Sequence, residues 1–106
     1  MKVIWSDFAV QALKEIFDYH KEKAGRKIAQ KLKTKIFDAA KQLHTHPNSG
    51  QVEDTLETLG EGHRYLVSGN YKIIYKKVRE GILITDIFDT RQDPVKINDP
   101  KRKADK

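Results

Sequence analysis

The sequence contains no cysteine. That excludes a disulfide framework, a thiolate zinc site and a cysteine nucleophile. It has three prolines and six glycines in 106 residues, far too few for a collagen-like or low-complexity chain. No apolar run approaches the roughly 18 residues of a membrane-spanning helix. The start, Met1-Lys2-Val3-Ile4-Trp5, turns polar at Ser6, before the apolar stretch of about 7–15 residues that an export signal needs. The expected address is cytoplasmic, with no membrane partner.

What is present fits one folded domain. The length matches a typical domain and allows a single core without disulfides. Charged residues make up 34% of the chain and mean hydropathy is −0.71, yet Leu, Ile, Val and Phe recur regularly. Disordered chains lack that regularity. The net charge is +6, of which the tail from Asp99 to Lys106 carries +2. A basic body favours a polyanionic or acidic partner, the plain alternative being a merely soluble basic protein.

Lys2-Val3-Ile4-Trp5 reads as an edge strand. Ser6 is a good N-cap. Ala9, Leu13, Ile16, Phe17 and His20 then follow at helical spacing, up to a C-cap at Ala24-Gly25. His20 is expected to cap the inner stripe or the C-terminal end of this helix. Ile28, Leu32, Ile36, Ala39 or Ala40, and Leu43 form the stripe of a second helix, with Lys27, Lys31 and Lys35 one turn apart on another face. It stops near His44, ahead of Pro47 and the turn-forming Asn48-Ser49-Gly50. The joint is so short that the two helices form an antiparallel hairpin. Gln51 to Gly62 is the acidic stretch and reads mostly as loop, anchored by Val52, Leu56 and Leu59.

The last third holds three β-rich runs, His63–Ser68, Tyr71–Val78 and Ile82–Phe88. Gly69-Asn70 and Arg79-Glu80-Gly81 supply the turns of a meander. The fold class is therefore α+β. An N-terminal strand and a helix hairpin pack on a small antiparallel sheet, residues 1–94 form the domain, and 95–106 form a flexible basic tail. Ile73 and Ile74 are adjacent, as are Ile82, Leu83 and Ile84, so both sheet faces carry apolar groups. The hairpin covers one face. The chain's own segments, a second copy or a partner must cover the other.

Few residues suggest chemistry. His44 and His46 lack a zinc-binding pattern, no serine sits in a nucleophile elbow, and Gly60-Glu61-Gly62 lacks the lysine of a phosphate loop. No metal or cofactor is expected. Arg64, Lys72 and Arg91 are cations of the sheet that can hold phosphates or carboxylates. In the meander Lys72 and Arg91 fall near one end and are expected to converge, with Arg64 farther off. The plain alternative is ordinary ion pairing with Asp86, Asp89 or Asp93. Metal-free RNA cleavage would also need an acid and a base, for which His63, Tyr65, Tyr71 and Tyr75 are the candidates.

Taken together, Val3-Ile4-Trp5-Ser6, then Ala9, Ala12, Leu13, Ile16 and Tyr19, a second helix ending at Leu43 before Pro47 and Gly50, Arg64 with Leu66, Tyr71-Lys72-Ile73-Ile74-Tyr75, Ile84 through Ile87, and Arg91 form a familiar order. Over residues 2–94 the sequence resembles toxins of the RelE/ParE superfamily from bacterial type II toxin–antitoxin modules. The resemblance implies a helix hairpin on a small antiparallel sheet and a cognate antitoxin that wraps the toxin. It implies either ParE-like poisoning of DNA gyrase, favoured by the long hairpin and the Pro47…Gly50 joint, or RelE-like cleavage of mRNA on the ribosome. In the second case Arg64, Lys72 and Arg91 would be the catalytic cations. No tyrosine or histidine follows Tyr75, and Asp89 stands where many ParE-like chains have histidine. An inert, protein-binding member is the third reading, and oligomeric state stays open.

Overall fold

The structure is a computed structural model and describes residues 1–103. A first strand, β1 (Val3–Trp5), leads into helix α1 (Asp7–Ala24) and helix α2 (Arg26–Lys41). A short strand β2 (Gln51–Val52) precedes the meander of β3 (Arg64–Ser68), β4 (Tyr71–Val78) and β5 (Gly81–Asp89), and a last turn of helix, α3 (Pro100–Lys103), closes the described chain. The strands form one sheet in the order β1-β5-β4-β3-β2. All neighbours are antiparallel except β1 and β5, which run parallel with Ile4 opposite Leu83. The sheet is therefore mixed, where the sequence suggested purely antiparallel pairing. Between β1 and β5 lie the whole hairpin and three strands, so no tight turn dictates their direction.

Local chemistry sets the helix ends. The Ser6 hydroxyl accepts from the Ala9 amide at 3.0 Å and caps α1. Gly25 alone separates the helices, with φ of 95°. That conformation costs a glycine little and other residues much. Ala9, Ala12 and Leu13 of α1 and Ile36 and Ala40 of α2 bury against Ile73, Tyr75, Ile82, Ile84 and Ile87 of the sheet. The small alanines let the helices approach closely.

The second sheet face is sealed by the chain itself. Leu56, Ile74, Phe88 and Ile97 are fully buried there, with Leu59 and Tyr65 packed around them. The covers are two 3₁₀ segments, Asp54–Leu59 and Pro94–Asn98. Of the three covers that sequence leaves open, the chain's own segments are the one realised. The anchors expected in the acidic stretch divide: Leu56 and Leu59 pack inward, whereas Val52 is exposed.

The tail also differs from expectation. Residues 94–103 do not leave the sheet; Ile97 is buried and Arg102 binds Asp86. The expectation of flexibility for 104–106 lies outside the described residues. The physical cause is a β-bulge. Ile74 pairs with Asp86 but Tyr75 pairs with Ile84, so Thr85 is an extra residue on β5. The bulge turns Asp86 onto the Phe88 face, where it is fully buried and demands a cation. Arg102 supplies one through two hydrogen bonds of 2.7 and 3.0 Å, its guanidinium lying between the rings of Phe8 and Phe88.

Candidate functional site

The three candidate cations of the sheet do not meet. Lys72 stands opposite Phe88 on the face covered by the 3₁₀ segments. Its ammonium lies 2.9 Å from a carboxylate oxygen of the buried Glu53 and 4.1 Å from the ring centre of Tyr65. Glu53 also accepts from the amide and hydroxyl of Thr55. Lys72 is thus a counter-ion for a carboxylate that could not otherwise be buried.

Arg91 lies on the other side. Asp89, two residues before it, faces Tyr71 across the β4–β5 pair, and Tyr71 belongs to the helix-covered core. The expected convergence of Lys72 and Arg91 is corrected: successive strand residues point to opposite faces, and Tyr71 and Lys72 obey that rule. Arg64, near the Gly50 loop, donates to the Gly50 carbonyl at 2.8 Å. Next to it the Tyr75 hydroxyl accepts from the Gly50 amide at 2.9 Å. A Cβ on Gly50 would come within 2.5 Å of that hydroxyl, so glycine is required there by close approach.

A cleft of about 430 Å³ lies between α1 and the ends of β4 and β5, lined by Ile16, Tyr19, Tyr71, Ile87, Asp89 and Arg91. Two side-chain hydrogen bonds from Arg91 to Asp89, at 2.9 and 3.0 Å, clamp its guanidinium. These bonds hold the Asp89 carboxyl below its ordinary range and keep Arg91 more firmly protonated. Burial, aided by the Asp89 charge, pushes the Tyr71 phenol up. The Tyr71 hydroxyl and His20 Nε2 are 2.8 Å apart. His20 therefore reaches across to the sheet from the end of α1. The cleft offers the phenols of Tyr19 and Tyr71, the Glu15 carboxylate and two guanidiniums, Arg91 and Arg102, each bonded to an aspartate. It can hold a polar group, but its guanidiniums are already matched by carboxylates.

Other candidates sit elsewhere. His63 is buried beside β3 and exerts a lowering influence on Glu61, whose carboxyl is held down chiefly by its hydrogen bond from Lys76. Burial pushes the Tyr75 phenol up as well. Among the described residues no three His, Asp or Glu side chains gather as a metal site. Among the described residues no helix is long and apolar enough to cross a membrane. Glu53, Gly50, Asp86 and Arg102 escaped the sequence reading as positioning residues. The dense acids of the Gln51–Gly62 stretch were the available signal for Glu53.

Two helices laid across one face of a small mixed sheet are the hairpin-on-sheet architecture that the sequence resemblance implied. The family model for the ParE toxin of the type II toxin-antitoxin system, parDE, matches residues 3–94. The chain belongs to the ParE toxin family. Among solved structures, a chain of the chromosomal ParDE TA system from P. aeruginosa shares the fold with a TM-score of 0.72. It is 21% identical, and the match covers 84% of this chain and 95% of that one. No curated protein sequence matches this chain.

Proposed function

We propose that this toxin arrests growth by binding DNA gyrase and trapping it on DNA, and that a cognate antitoxin neutralises it. The observation that carries the choice of target is that the candidate cations are engaged separately: Glu53 holds Lys72, Asp89 holds Arg91, and Arg64 donates to the Gly50 carbonyl. Phosphorane stabilisation calls for cations aimed together at one developing charge. These point to different faces of the sheet. In the superfamily that the sequence resembles, the ParE-like branch acts on gyrase and is not nucleolytic.

The antitoxin reading draws on the hairpin surface. Val10, Tyr19, Ile28 and Phe37 are each about half exposed. Val10, Leu13 and Phe17 line an apolar groove of about 410 Å³ between the helices. Apolar residues of a partner segment that orders on binding would fill this groove.

The test is controlled expression of the chain in cells, with DNA breaks and mRNA integrity followed together. The expected result is growth arrest, gyrase-linked DNA breaks and intact mRNA, reproduced by purified toxin and gyrase on supercoiled plasmid. Prompt mRNA cleavage with unbroken DNA would overturn the gyrase reading in favour of the ribosome. Normal growth would overturn both in favour of an inert member. Co-expression of the neighbouring gene's product should restore growth if that product is the antitoxin.

A further inference from the structure

The charge of the protein is concentrated in one place. Seven of the 21 basic residues and one of the 15 acidic residues lie between Lys21 and Lys35, which leaves fourteen of each sign elsewhere. Residues 21–35, the tip of the hairpin and the first part of α2, therefore carry a net +6, while the rest of the chain, its +2 tail included, sums to zero. All seven (Lys21, Lys23, Arg26, Lys27, Lys31, Lys33 and Lys35) are exposed. Among the described residues none of them makes an ion pair, whereas Lys72, Lys76, Arg91 and Arg102 all do.

The arrangement on α2 is ordered. Ala29, Leu32, Ile36 and Ala40 face the core. At 3.6 residues per turn, Lys27, Lys31 and Thr34 fall on the opposite side, flanked by Gln30 and Lys35. Every one of these side chains can donate a hydrogen bond and none is acidic; the next residue along that face, Asp38, is acidic and pairs with Lys41 at 4.0 Å. Arg26 and Lys27 also occupy the first turn of α2, the positive end of its dipole, with no acidic residue there. Cations are disfavoured at that position, so helix stability does not account for them.

From this we infer that the outer face of α2 binds the phosphate backbone of double-stranded DNA. Lysine is depleted in protein–protein interfaces, whereas it is a routine phosphate contact in DNA complexes. Single-stranded nucleic acid is gripped by stacking on aromatic rings, and no aromatic residue lies between Lys21 and Ile36. From Lys27 to Lys35 the helix rises about 12 Å, close to the width of the major groove, so the row can reach the phosphates on both of its rims. The contact is sequence-independent. It would bring the toxin to DNA whether or not gyrase is its target, and it leaves the apolar groove on the Lys33 side of the hairpin open.

The test is fluorescence anisotropy of the full chain on a labelled duplex of about 24 base pairs, from about 50 to 200 mM salt. With about five phosphates neutralised, the slope of log K against log salt should be about −4.5, a loss on the order of 500-fold across that range. The variant K27Q/K31Q/K35Q should flatten the slope by about 3, and K27R/K31R/K35R should restore it. The variant K77Q/R79Q/K96Q, with the same charge change at exposed positions elsewhere, should behave nearly as the parent. Far-UV circular dichroism of each variant checks the fold. No binding of the parent at the lowest salt overturns the inference, as do equal losses in the two glutamine variants. Tighter binding of polyglutamate than duplex would reassign the face to an acidic protein, and tighter binding of oligo-dT would reassign it to single strands. Either result also overturns the inference.

Discussion

Replacing Arg102 with alanine tests how far the C-terminal segment belongs to the fold. Asp86 is fully buried, and Arg102 binds both its carboxylate oxygens and the Ile87 carbonyl. Removing one partner of a buried ion pair costs about 3–5 kcal/mol. Loss of contact with the Phe8 and Phe88 rings adds about 0.5–1 kcal/mol each. The Arg102 side chain is 23% exposed, so water enters readily and the low end applies. We expect R102A to lose about 4 kcal/mol, equivalent to roughly 16–32 °C in Tm for a domain of this size. The assay is urea unfolding followed by far-UV circular dichroism, with hydrogen exchange of the β5 amides as a local probe. The double variant R102M/D86L removes both charges and should recover most of the loss, because matched apolar replacements of buried pairs are often neutral. A loss below about 0.5 kcal/mol for R102A, typical of an ordinary surface change, would refute the reasoning.

Two further outcomes follow from contacts already described. Gly50→Ala places a methyl 2.5 Å from the Tyr75 hydroxyl and 2.7 Å from the Tyr65 carbonyl, and should cost about 1–3 kcal/mol by the same urea assay. The folded-state phenols of Tyr71 and Tyr75 are raised chiefly by burial. Their contribution is complete below the unfolded value near 10 and is lost as pH rises through the folded values, so stability should decline above about pH 10. Ultraviolet titration of the phenolates should show Tyr71 and Tyr75 ionising late or together with unfolding.

Much of the fold was legible because it follows repeating chemistry. Ser6 capping α1, the single-glycine joint and the Gly69-Asn70 turn are local signals, and the structure contains each of them. The adjacent pair Ile73-Ile74 correctly announced two apolar faces. What covers the second face was harder to see. Leu56, Leu59 and Ile97 lie in short 3₁₀ segments, which have no amphipathic period long enough to register. The bulge at Thr85 leaves no mark in a run of β-formers, yet it decides that Asp86 points inward and that Arg102 is a structural residue. The site suffered for the same reason. Lys72 and Arg91 were placed by position along the strands, but whether they meet depends on which way each side chain points and on acids distant in sequence, such as Glu53 for Lys72.

The parallel pairing of β1 with β5 joins the first strand to the last. During synthesis, β1 has no neighbour in the sheet until residues 82–84 have emerged, and Asp86 awaits an arginine 16 positions further along the chain. The nascent polypeptide can wind its hairpin early, since those contacts are local, but the sheet closes only once β5 is available to receive β1.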